Sequence, residues 1–90
     1  MKIRAMVTIS GLVQGVSFRY SAMQQAARCN VTGWIKNLPN GDVQGCFEGE
    51  KSDVQALIDW CSVGPRLSRV DRISTEQQDY TGKLEGFRVR

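Results

Sequence analysis

The residues best suited to chemistry stand between Gly11 and Arg19, in the run G-L-V-Q-G-V-S-F-R. An alternating apolar series, Ile3, Ala5, Val7 and Ile9, leads into it, and Phe18, Ala22 and Ala26 leave it at intervals of four. The run therefore reads as a glycine turn between a strand and a helix N-terminus. In such a turn the backbone N–H groups point outward without intrahelical acceptors. With the positive end of the helix dipole they favour an anion. Gly15 lets the backbone approach a ligand with no Cβ in the way. Arg19, in the first turn, adds a permanent planar cation matched to phosphate oxygens. The chemistry these residues suit is the holding of a phosphate group. An arginine on a helix surface usually has no ligand; its place directly after a glycine turn is what favours a site here.

Other chemistries are excluded or disfavoured. Ser17 reads as the helix N-cap and not as a nucleophile, because no base stands near it in the sequence. The chain has no histidine, so no imidazole acid, base or Cys–His pair is available. Cys29, Cys46 and Cys61 are odd in number and form no C-x-x-C. They read as reduced thiols, either small core residues or inert surface groups. A zinc site would have to recruit carboxylates beside them, so neither metal nor cofactor is expected.

Ninety residues suit one domain, 1–90, burying on the order of 60–65% of its unfolded surface. An apolar share of 41% beside 23% charged residues fits a globular fold. No apolar run approaches the roughly 20 residues of a membrane helix, and the N-terminus reads as a strand and not as a signal peptide. The expectation is a cytoplasmic protein without a membrane partner. Arginine outnumbers lysine eight to four, which suits anion recognition. The net charge of +3 falls short of the basic face of a nucleic-acid binder.

The elements that must position this run follow from periodicity. A first strand covers Lys2 to Ser10, and a helix runs from Phe18 to Cys29, stopped by Asn30 in a left-handed conformation. Residues 31–37 and 42–48 read as a hairpin around the Asn40-Gly41 turn signal. A second helix carries Val54, Leu57, Ile58 and Cys61 on one face, with Ser52 and Gln55 as a capping box and Gly64-Pro65 as its stop. Residues 68–77 form a fourth strand if a bulge reconciles Val70 with Ile73, and residues 87–90 form a short fifth. Trp34 and Trp60 are expected at the core or its edge. Arg66, Arg69 and Arg72 are expected in solvent. The order βαββαβ is that of the ferredoxin-like split βαβ arrangement, an α+β sandwich with two helices on one face of an antiparallel sheet. Fold alone does not give function.

The glycine run resembles the first signature of the acylphosphatase family, and Gly33 to Gly49, G-W-I-K-N-L-P-N-G-D-V-Q-G-C-F-E-G, resembles the second. The likeness extends to Gly64-Pro65 and the F-R-V-R ending, so it covers essentially the whole chain. Asn30 stands where the family often has glycine. The resemblance implies a metal-free hydrolase that cleaves acyl phosphates to a carboxylate and inorganic phosphate; the lack of an obvious extra apolar stripe adds the expectation of a monomer. The resemblance also implies that Arg19 binds phosphate, that the backbone N–H groups of Gln14, Gly15, Val16, Ser17 and Phe18 hold the phosphate oxygens, and that Asn37 orients the attacking water. By itself Asn37 would read only as a turn residue.

Two rival readings stand beside this one. The same fold with the same cradle could bind phosphate or an acyl phosphate without turnover. A ferredoxin-like RNA-binding module would need aromatic residues on the open sheet face. Lys2, Arg4, Met6 and Thr8 on the outer side of the first strand supply none.

Overall fold

The structure, a computed structural model, describes residues 1–90. Its elements in order are β1 (Lys2–Leu12), α1 (Phe18–Cys29), β2 (Thr32–Asn37), β3 (Val43–Glu50), α2 (Lys51–Cys61), β4 (Arg69–Asp79) and β5 (Phe87–Val89). The strands form one sheet in the order β4-β1-β3-β2-β5. β3 is antiparallel to both β1 and β2, so β1–α1–β2 is a βαβ unit split by β3. β3–α2–β4 is likewise split by β1, which is antiparallel to β4. The ferredoxin-like expectation is borne out, with one refinement. β5 lies parallel to β2, so the sheet is mixed and not wholly antiparallel.

One face of the sheet is covered by both helices. Ile3, Ala5, Val7 and Ile9 from β1 meet Phe18, Ala22 and Ala26 from α1 and Val54, Leu57, Ile58 and Cys61 from α2 in one core of 16 buried residues. Each large aliphatic or aromatic side chain buried there contributes about 1.5–3 kcal/mol. Trp60 packs at its edge against Phe18, with ring centroids 5.5 Å apart. Trp34 departs from expectation. It alternates with buried Gly33 and Ile35 and so faces the open side, where Arg90 lies 4.6 Å and Lys36 5.3 Å from its ring centroid.

The open face is crossed by residues 80–86, which carry the chain from the β4 edge to β5. Glu48 fastens this strap: Oε2 accepts from Thr81 N and Oγ1 (3.1 and 2.8 Å), and Oε1 accepts from Gly82 N (3.2 Å). Arg4 Nε lies 3.1 Å from the same carboxylate, although its N–H does not aim at it.

Local departures from the sequence reading have simple causes. β1 does not turn at Gly11 but continues to Leu12, because the β4 register shifts there: Ser10 faces Arg72 while Gly11 faces Val70. Asp71 is the extra residue, so the bulge needed to place Val70 and Ile73 is present. Gly11 is required because a Cβ would collide with the carbonyl oxygen of Arg69. Arg66, Arg69 and Arg72 are exposed as expected. The capping box is not formed. α2 starts at Lys51 after Glu50 and has no side-chain cap, while Gln55 instead donates to Asp59 at 2.9 Å. Asn30 does stop α1 in the left-handed region, at φ 59°.

Candidate functional site

At one end of the sheet β1 gives way to the loop 13–17, and α1 begins. Gly15 and Ser17 both take positive φ, 75° and 61°, which turns the chain sharply into the helix. Ser17 occupies the N-cap position but makes no side-chain cap bond, so the expected role of its hydroxyl is not realised. The backbone N–H groups of Gln14 to Tyr20 have no backbone acceptor. No acidic side chain stands in the first turn of α1. The positive end of this helix is therefore compensated neither by a cap nor by a carboxylate, which is an unusual state for a helix start and one that favours an anion.

Arg19 is half-buried in that first turn. Its Nη1 donates to the main-chain oxygen of Arg90 at 2.5 Å, and no Asp or Glu side chain pairs with it. The guanidinium is held in position by this contact and is not tied to an acidic side chain. Asn37 closes β2 opposite Val43. It is exposed and its amide makes no hydrogen bond within the protein. Both side chains line one cleft of about 290 Å³, together with Val13, Gly15, Ser17, Phe18 and Tyr20.

Five residues singled out from the sequence thus meet in one cleft, namely Gly15, Ser17, Phe18, Arg19 and Asn37. Gln14 and Val16 do not line it. Val16 packs against the core. The side chain of Gln14 turns toward the hairpin, where Nε2 donates to Leu38 O (2.8 Å) and Asp42 O (2.9 Å). Gly15 has open space where a Cβ would stand, so it serves the turn by its φ at least as much as by clearance. Sequence reasoning missed Tyr20, which is 60% exposed at the cleft. Its position opposite the Phe18-Ala22-Ala26 stripe was the available signal. It also missed Arg90, whose contact with Arg19 spans 71 residues and leaves no local trace.

No three His, Cys, Asp or Glu side chains converge anywhere in the chain, and no helix is long and apolar enough to cross a membrane. The thiols lie away from the cleft. Cys61 is buried in the core, and burial, helped by nearby Cys29, pushes its thiol up to about 12. Cys46 is buried on the open face, and its thiol is raised mainly by burial, with Arg4 opposing.

Both the sequence and the fold are similar to those of known proteins. The acylphosphatase family model matches residues 5–89. A curated acylphosphatase of Geobacter metallireducens is 58% identical over 90 residues, spanning 100% of this chain and 97% of the relative. A solved acylphosphatase from Coxiella burnetii has a TM-score of 0.93 at 37% identity, covering 99% of this chain and 93% of that one. One from Bacillus subtilis has a TM-score of 0.94 at 27% identity, covering 98% of each.

Proposed function

The chain belongs to the acylphosphatase family and is an acyl phosphate hydrolase, and from that premise we propose which of its residues carry the reaction. The phosphoryl group sits against the uncapped start of α1. There the N–H groups of Gln14, Gly15, Val16, Ser17 and Phe18 and the Arg19 guanidinium hold its oxygens and stabilise the charge that spreads over them in the transition state. The Asn37 amide places the attacking water. The observation that carries this reading is the convergence on one cleft of Arg19, free of any acidic side chain, and an unengaged Asn37.

The steps need little else. Water oxygen bonds to phosphorus as the bond from phosphorus to the acyl oxygen breaks. The leaving carboxylate, with a pKa near about 4, departs without a proton. A proton from the water goes to a phosphate oxygen of the substrate itself, an acceptor the family resemblance suggests. Asn37 orients through its amide at neutral pH without titrating. No step requires an imidazole or a bound metal, which fits a chain without histidine. We take residues 1–90 as one cytoplasmic, monomeric domain. Inorganic phosphate acts as product and inhibitor, and no nucleic acid is a partner. What supports the last point is the strap of residues 80–86, which is fastened across the open face by Glu48.

Hydrolysis of a simple aryl acyl phosphate, followed by absorbance with EDTA present, tests this. Turnover is expected to survive EDTA and to be inhibited competitively by inorganic phosphate. Arg19→Ala is expected to keep the circular dichroism of the fold and lose on the order of a hundredfold or more in kcat/KM. Full activity in folded Arg19→Ala protein would sink the reading.

A further inference from the structure

The two halves of the cleft come from separate parts of the chain, and little joins them. Arg19 and the N–H groups belong to the β1–α1 connection, while Asn37 belongs to the hairpin. Asn37 is the last residue of β2 and is paired on one side only, with Val43 of β3. On the other side the β5 pairing ends at Ile35 and Val89. Beyond Asn37 the chain makes the loop 38–42, closed by Leu38 N donating to Asp42 O at 2.8 Å. Gln14 reaches this loop from the phosphate side. Its single NH2 group uses both hydrogens, one on the carbonyl of Leu38 and one on that of Asp42, the two ends of the loop. No other hydrogen bond joins residues 13–17 to residues 37–42.

We propose that the Gln14 side chain is a positioning residue that sets the distance between the phosphate cradle and the water held by Asn37. This deepens the reading above and rests on it: the backbone of Gln14 serves the phosphate, and its amide serves the water. The chemistry of the contact restricts the residue. Two carbonyl oxygens must be met by two donors on one nitrogen, which a primary amide supplies. A glutamate would present oxygens to both carbonyls. An asparagine, shorter by one methylene, falls about 1.5 Å short. Displacement of a reacting group by about 1 Å is enough to cost as much as a hundredfold in rate.

The experiment is a double-mutant cycle between Gln14→Met and Asn37→Ala, with kcat, KM and the inhibition constant for inorganic phosphate measured for each protein. Methionine keeps nearly the length and shape of glutamine and lacks its donors. Gln14→Ala serves as a second variant should the methionine disturb packing. The expected result is a kcat reduced by about tenfold to a hundredfold with phosphate inhibition unchanged. In the Asn37→Ala background the same Gln14 substitution is expected to cause no further loss, because its effect passes through Asn37. An equal loss in both backgrounds, or a phosphate inhibition constant that rises with the loss of rate, would overturn the inference. So would a lowered unfolding midpoint with kcat intact. Failure of the underlying reading looks different: Asn37→Ala alone would then keep full turnover.

Discussion

Phe47 and Glu48 are neighbours in β3 and both are buried, at 0% and 1% exposure, but they point to opposite sides of the sheet and are held by unlike means. Phe47 lies among the apolar side chains under the helices, its ring centroid 5.9 Å from that of Phe87. Attraction there is non-directional and spread over many neighbours, so small shifts are tolerated. Glu48 has a few partners: hydrogen bonds fixed in direction from Thr81 and Gly82, and the charge of Arg4 beside them. The helix-covered face is a core. The open face is a single carboxylate around which a strap is folded.

That contrast yields the largest expected effects. Glu48→Ala leaves Arg4 without its counter-charge and the N–H groups of Thr81 and Gly82 without acceptors. It should lower unfolding stability by about 3–5 kcal/mol. Phe47→Ala should cost a similar amount, about 3–5 kcal/mol, through lost contacts and a cavity. What separates the two is repair. Phe47→Leu should recover much of the loss, because a core accepts another apolar shape. Glu48→Leu should not, because the strap still lacks acceptors. Chemical denaturation of the four proteins tests the comparison, and a Glu48→Leu protein as stable as Phe47→Leu would break it.

Thiol titration gives a smaller effect on the same contrast. The Cys61 thiol is raised by burial from 9.0 to about 12. A group whose folded pKa is raised contributes its stability in full below its unfolded value and loses it as pH climbs through the folded one. Between 9.0 and about 12, therefore, the native chain should lose up to about 1.4 kcal/mol of stability per pH unit through this thiol. Cys61→Val, which cannot ionise, should flatten the alkaline slope in urea titrations. An unchanged slope would mean that Cys61 is solvated before the chain unfolds.

The same division marks what the sequence made legible. Ile3, Ala5, Val7, Ile9 and the Val54-Leu57-Ile58-Cys61 stripe all reached the core, since periodicity reports directly on which face is buried. Glu48 gave no such signal: its partners lie 33 and 34 residues away. Trp34 departs from the expectation of the core or its edge because its alternation with Gly33 and Ile35 sets it on the open face. In the site, the cradle is readable because Gly15, Ser17, Phe18 and Arg19 all stand in the one short run 15–19. Asn37 came only with the family resemblance. The Gln14 tie and the Arg90 contact depend on tertiary placement and could not be read locally.

The smallest expected effect concerns a local polar signal that misled. Ser52-x-x-Gln55 has the form of a capping box, which as a working cap would contribute about 0.5–2 kcal/mol. In the structure Glu50 precedes the first helical residue, Lys51, so Ser52 stands one position inside the helix, with no side-chain cap bond. Ser52 is exposed. Its hydroxyl therefore has nothing to lose, and Ser52→Ala should leave stability within about 0.5 kcal/mol of the parent protein. Alanine also has the better helix propensity, so any residual shift should be toward stability. A clear destabilisation would place the helix cap at Ser52, with Lys51 outside the helix beside Glu50, the last residue of β3. The fault would then lie in the helix boundary, and a local polar pattern would have proved as good a guide here as the apolar one.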